Sequence, residues 1–277
     1  MRSQTPKFSI VVPMYNVERF LPKCVDSLCS QTLKDIEIIM VDDGSPDRCG
    51  EIAEAYALKD SRVQVVHRVN GGLGPARNSG MDIARGEFIG FVDSDDWVDP
   101  NMFERLYAAA SDYQADIVFT GLRTVRHGEV VSVREHPFAG KTLQGGDDIL
   151  TLRASFYGAA PMKVLDDPVP ISVWVAGYRR DFIEDHHLRS SIFVAKTSSL
   201  IPTHAVWRKR LRVLMAPRIA IGKMINPRLR RHSSVGRSIP SAHYFALWNK
   251  WPMKSQQPFG MNAIFVSSVA LLITVVR

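Results

Sequence analysis

The chain has 277 residues, 45% of them hydrophobic and 23% charged, with a net charge of +7. This is ordinary globular composition, enough for one large α/β domain or for a domain with an appendage, and it excludes a wholly disordered chain, a collagen-like chain and a coiled coil. Three cysteines (Cys24, Cys29 and Cys49), an odd number confined to the first fifth of the sequence, exclude a disulfide scaffold and point to a reducing compartment.

Taken in chain order, the first half alternates strand and helix signals. Residues 8–12 form a short apolar run that stops at Pro13, which predicts a buried strand and is too short for the apolar core of a signal peptide. Residues 18–30 place Phe20, Leu21, Cys24, Val25 and Leu28 at helical spacing, with Pro22 acceptable only in the first turn. A continuous apolar run over residues 36–41 predicts a second strand. A helix opened by Pro46 follows, with Ile52, Ala53 and Tyr56 on one face. Residues 63–67 predict a third strand, 75–84 a helix and 87–92 a fourth strand. Asp99-Pro100 is a good helix start and Met102, Leu106, Ala109 and Ala110 carry that helix to about Tyr113; residues 116–121 predict a fifth strand. This rhythm of continuous apolar strands separated by helices predicts a Rossmann-like, doubly wound and mostly parallel α/β sheet.

The charge is unevenly placed. None of the 28 Asp and Glu lies beyond Asp185, whereas 15 of the 35 Lys and Arg do, so residues 1–185 carry a net −8 and the last 92 carry +15. With about one residue in eight acidic on average, an acid-free run of that length arises by chance about once in 10⁵. The expected division is a core over residues 1–125, a second part of the same domain over 126–189, and a basic tail over 190–277. Three readings of the tail stay open: a basic surface that meets anionic lipid or nucleic acid, coding sequence in a shifted frame, or a divergent C-terminal segment. No basic-aromatic module favours nucleic acid as a partner. Residues 259–276 are apolar apart from Asn262, Ser267 and Ser268, at the lower limit for a bilayer span.

Ligands of an open α/β sheet bind beyond the carboxyl ends of its strands. The first predicted strand is followed by Pro13-Met14-Tyr15-Asn16 and the second by Asp42-Asp43-Gly44-Ser45. Asn70-Gly71-Gly72-Leu73-Gly74 comes after the third, and Asp93-Ser94-Asp95-Asp96 after the fourth. Taken singly, an Asp-Gly-Ser turn, a glycine-rich loop and a tyrosine each have ordinary structural uses. Three acids in four residues at a strand exit are different, because crowded carboxylates are costly unless a cation or ligand compensates them. Hard oxygen ligands of this kind suit Mg²⁺ or Mn²⁺ shared with substrate phosphates.

Ser9-Ile-Val-Val-Pro-Met-Tyr-Asn16, Val41-Asp-Asp-Gly-Ser45, Gly71-Gly-Leu-Gly-Pro-Ala-Arg-Asn-Ser-Gly80 and Phe91-Val-Asp-Ser-Asp-Asp96 together resemble glycosyltransferase family 2, which has the GT-A fold. The resemblance is colinear over about residues 7–125. It implies a nucleotide-sugar donor, a UDP-sugar above all, with a divalent metal and transfer to an acceptor hydroxyl with inversion at the anomeric carbon. Carried over by motif, Pro13 and Tyr15 lie against the nucleotide base and Asp43 hydrogen-bonds it. Arg77 faces the diphosphate, Asp93 the ribose and metal shell, Asp95 ligates the metal, and Asp96 lies toward the donor sugar. The implied setting is cytoplasmic synthesis of a cell-envelope or exopolysaccharide precursor on a saccharide or lipid-linked acceptor; contact with a membrane surface belongs to one of the open readings of the basic tail. A dinucleotide-dependent oxidoreductase does not fit, because no G-x-G-x-x-G follows the first strand.

Inverting transfer also needs a base for the acceptor proton. Many family members supply it from a Glu-Asp pair opening a helix some way after a Tyr-Arg-Arg segment. Residues 172–189, with Tyr178-Arg179-Arg180, resemble that approach, and the acids then stop. Asp166, Asp167, Glu184 and Asp185 do not match the motif, and His186 and His187 are adjacent histidines of the kind usually left to solvent. The catalytic base is therefore unassigned. The alternative expectation is a non-catalytic nucleotide-sugar-binding remnant.

Overall fold

A computed structural model of the chain describes residues 5–126, 129–157, 173–190 and 212–224. β1 (Phe8–Met14), β2 (Ile36–Asp42) and β4 (Phe88–Phe91) are buried at every position, as expected of strands covered on both faces. β3 (Val63–His67) lies at the edge and is only partly covered. These four pair in parallel in the order β3-β2-β1-β4.

The connecting helices are α1 (Leu21–Cys29), α2 (Cys49–Ala57) and α3 (Leu73–Ile83), and α4 (Met102–Asp112) comes after the fourth strand. Both faces of the sheet are covered. Neighbouring odd and even positions of a strand point to opposite faces; Phe8 of β1 meets Phe103 of α4 with ring centroids 5.1 Å apart, whereas Val11 meets α3 at Gly80. At Gly80 the approach is so close that an added Cβ would collide with Val11 and lie 3.2 Å from Val41 Cγ2, so only glycine lets α3 settle there.

Helix boundaries differ from the sequence expectation in an instructive way. α1 begins at Leu21 rather than residue 18, with Pro22 in its first turn, because residues 17–20 form a separate turn in which the Phe20 N–H donates to the Val17 carbonyl. α2 begins three residues after Pro46, and α3 begins two residues ahead of Pro75.

The sheet continues as β4-β9-β6-β10-β5. β9 (Ala176–Arg179) is antiparallel to both β4 and β6 (Ile117–Arg126). β10 (Arg212–Met224) runs parallel to β6 and pairs antiparallel with β5 (Trp97–Val98) and β8 (Thr142–Gln144), and β7 (Glu129–Arg134) forms a hairpin with β6. The acid-free part of the sequence thus supplies a strand of the sheet. α5 (Gly146–Tyr157) follows β8, and α6 (Arg180–Asp185) follows β9 directly. The segment after α6 docks on α3, where the Asn78 amide donates to the Ser190 carbonyl (3.0 Å) and accepts from the Ser190 N–H (2.8 Å). Among the described residues no helix is long and apolar enough to cross a membrane. Residues 259–276 lie outside the described residues.

Candidate active site

The chain builds β1, β2 and β3 outward in one direction and then returns to place β4 on the other side of β1. Strand order reverses between β1 and β4, and that is where an open α/β sheet leaves a crevice at its carboxyl edge. The ends of β1 and β4 flank the crevice: the Pro13–Asn16 segment, whose first two residues close β1, and the Asp93–Asp96 segment beyond β4.

Asp93, Asp95 and Asp96 each offer a carboxylate oxygen within 4.8 Å of the others. The turn that gathers them closes through the Asp96 N–H donating to the Asp93 carbonyl (2.9 Å). Asp96 is buried, while Asp93 and Asp95 are partly exposed. Arg77 of α3 is 1% exposed and donates from Nη2 to Asp93 Oδ1 at 2.7 Å. Its Nε and Nη1 are buried with no acceptor among the described residues. Three carboxylates this close repel one another, and a divalent cation among them would relieve that repulsion. Beneath the turn, the buried Cys24 registers the same field. Its thiol is held well above its ordinary value, first by burial and then by Asp96, Asp95 and Asp93 in that order. The donor set is all hard oxygen, as Mg²⁺ or Mn²⁺ requires, so the residues present fit such an ion.

The second wall comes from the ends of β2 and β3. Asp43 is 3% exposed and is held from several sides: Arg68 ion-pairs with Oδ1, the Gly71 N–H reaches both oxygens (3.1 and 3.2 Å), and the Gly72 N–H donates to Oδ2 at 2.7 Å. The carboxylate therefore fastens the loop that leads into α3. Gly44 sits at φ +68° in the tight turn beside it, where a Cβ would come within 3.0 Å of the Asn70 amide nitrogen. Asp42 turns the other way, accepting from the Ser45 N–H (2.9 Å) and facing His67 Nδ1 (3.2 Å). Pro13 is buried in β1, and Tyr15, just beyond it, is half exposed at the crevice mouth.

Arg68 and His67 were not singled out in the sequence. The available signal was two basic residues at the exit of one strand, level with a pair of acids at the exit of its neighbour. Tyr178, Arg179 and Arg180 fall elsewhere. Arg179 pairs in register with Phe88, the first residue of β4, and contacts Glu87 and Asp116; Arg180 donates to the Gly86 carbonyl and to Glu184. This is the entry end of β4, opposite Asp93. Asp166 and Asp167 lie outside the described residues.

The Glycosyl transferase family 2 model matches residues 9–186. The chain belongs to glycosyltransferase family 2. EpsJ of Bacillus subtilis (strain 168), an uncharacterized glycosyltransferase, is 60% identical over 116 residues, covering 42% of this chain and 34% of EpsJ. EpsH of the same organism, a putative glycosyltransferase, is 38% identical over 190 residues, 67% of this chain and 50% of EpsH. The chain thus spans between a third and a half of these curated relatives. Among solved structures, S. aureus TarS 1-349 in complex with UDP-GlcNAc superposes with a TM-score of 0.61 at 22% identity, covering 79% of this chain and 59% of that one. At that identity the likeness is one of fold. This family-2 chain has the α/β architecture of the GT-A class, with the acidic cluster at the crevice.

Proposed function

We propose that this chain transfers a sugar from a nucleotide-sugar donor, a UDP-sugar, to an acceptor hydroxyl in the synthesis of a cell-envelope or exopolysaccharide precursor. The observation that carries this reading is the gathering of Asp93, Asp95 and Asp96 within 4.8 Å of one another at the switch point of the sheet, beside the buried Arg77. Family membership and the UDP-GlcNAc complex of TarS support it.

In this reading the base of the nucleotide lies against Pro13 and stacks on Tyr15. It donates an N–H to Asp43, whose Oδ2 already accepts from the Gly72 N–H and shares the Gly71 N–H with Oδ1. Asp93 and Asp95 hold Mg²⁺ or Mn²⁺, with Asp93 also facing the ribose and Asp96 turned toward the donor sugar. A cation bound there would act as a Lewis acid for the leaving diphosphate. Arg77 orients Asp93, and its two remaining donors add positive charge on the diphosphate side. α3 opens at Gly72, and the positive end of its dipole favours an anion nearby. Inversion requires one displacement with the acceptor proton passing to a base.

A second reading is favoured by one observation, the absence of any carboxylate in the sequence beyond Asp185. In that reading the chain binds a nucleoside diphosphate with metal and transfers sugar poorly or not at all. Calorimetry with UDP, with and without Mn²⁺, tests the donor site. Turnover of UDP-sugar, alone and with a saccharide or lipid-linked acceptor, separates the readings. Cation-dependent binding with efficient transfer supports the enzyme, and binding without transfer supports the remnant. No UDP binding under any condition overturns both.

A further inference from the structure

The imidazole of His67, at the exit of β3, is bracketed by two carboxylates. Nδ1 lies 3.2 Å from Asp42 Oδ2 on β2, and Nε2 lies 2.9 Å from Glu54 Oε1 on α2. A neutral imidazole has one donor and one acceptor nitrogen, whereas ionised carboxylates only accept. Both contacts are satisfied together only when both ring nitrogens carry a proton. We propose that His67, as an imidazolium, is a positioning residue of the nucleotide site, tying α2 to Asp42 and so fixing the turn that presents Asp43. This inference rests on the donor-site reading given above.

The connection from His67 to the site is short. Asp42 uses Oδ2 toward His67 and Oδ1 to accept from the Ser45 N–H, so the plane of its carboxylate sets the turn over residues 42–45. Its carbonyl accepts from the Arg68 N–H (3.0 Å), which places the arginine that pairs with Asp43. The next residue, Asp43, donates its N–H to the Met14 carbonyl at 3.0 Å, beside Tyr15. α2 closes over the pair at Gly50, where a Cβ would lie 2.9 Å from Asp42 Oδ2 and 3.3 Å from His67 Cε1.

The charged groups that face the ring are Asp42 from β2 and Glu54 from α2, while the adjacent Arg68 is directed to Asp43. The Glu54 contact first and the Asp42 contact second raise the imidazole above its ordinary value, against a smaller opposing effect of burial. The half-exposed ring exchanges its proton with solvent readily. When the proton leaves, one nitrogen turns a lone pair toward a carboxylate, and one of the two ties opens.

The test is calorimetry of UDP with Mg²⁺ between about pH 6 and pH 8.5 on the full chain, on His67→Gln and on Glu54→Gln. The diphosphate and the cation contribute the same pH dependence to all three, so the difference between profiles isolates His67. Wild-type affinity is expected to fall with rising pH by about two- to fivefold more than that of His67→Gln, the size of one half-exposed charged contact. Glu54→Gln should move the midpoint of the fall to lower pH, and the His67 ring, followed by NMR, should titrate lower in that variant. Parallel profiles in all three proteins overturn the proposal while leaving the donor site intact. UDP binding absent at every pH in wild type means that the donor-site reading itself has failed.

Discussion

From β1 to β4 every strand pairs in parallel, and all but the edge strand β3 are buried along their full length. From β9 to β5 antiparallel neighbours alternate with a parallel pair, and the β7 hairpin is exposed at each of its six positions. The first region brings every strand exit to one edge, because a parallel strand can be followed only by a crossover that returns to the opposite end. Acids, glycines and a tyrosine placed after successive strands are then forced together. The second region has no such rule, and its polar groups serve the joins: Arg179 to Glu87 and Asp116, and the Ser190 backbone to Asn78 of α3. One region gathers the acids at a single edge and the other closes the sheet around it.

That contrast can be broken most directly at the acids. Asp95→Ala should abolish the cation-dependent part of UDP affinity, a loss of more than about a hundredfold, since even partners outside a metal's own ligands cost up to that much. Calorimetry with and without Mn²⁺ reads it, and the melting temperature should hardly move. Unchanged affinity would mean that the crevice is not the donor site.

Gly80→Ala attacks the packing that brings α3 to β1. Alanine is the better helix former, yet the added methyl collides with Val11, and overpacking should cost about 2–3 kcal/mol on denaturant unfolding. A neutral or stabilised variant would show that α3 can shift without cost.

The second region should respond to acid in its own way. His136 is 5% exposed between Phe119 and Phe138, and burial depresses its imidazole to about 4. The folded state keeps it neutral while the unfolded chain takes up a proton near pH 6.5, so stability is lost as pH falls from about 6.5 to 4, by about 1–3 kcal/mol. His67 in the first region has the opposite sign. Its contribution is present at low pH and is lost as pH rises through its raised value. His136→Phe should flatten the acid side of the stability profile, and His67→Gln the alkaline side. The smallest effect is expected at the seam. Asn78→Ala removes two hydrogen bonds to Ser190 and should cost about 1 kcal/mol. Hydrogen exchange should rise at residues 188–190 while the β1 and β2 amides stay protected.

Much of the first region was legible because its constraint is local. Strands buried on both faces read as unbroken apolar runs, and the helices between them show helical spacing, so β1 to β4 and α1 to α4 emerge within a few residues of their observed bounds. The acids of Asp93–Asp96 were legible as a cluster because a strand exit gives no structural reason for them. β9 was not legible. Ala176-Gly177-Tyr178-Arg179 has neither an apolar run nor an alternation, and it is a strand because β4 and β6 offer it edges on both sides. The Tyr-Arg-Arg segment, read from the sequence as an approach to a base, is the end of that strand and the start of α6.

By itself, then, the sequence determined the parallel half, the order of its loops and the chemical character of the edge where they meet. Only the tertiary structure decided which side chains answer which acids: Arg77 for Asp93, Arg68 for Asp43, His67 for Asp42. Those partners are 16, 25 and 25 residues apart, and their pairing depends on parallel register and on how closely α3 and α2 approach the sheet. Periodicity records which face of an element is buried, but it carries no information about what stands opposite a charge once the elements have packed.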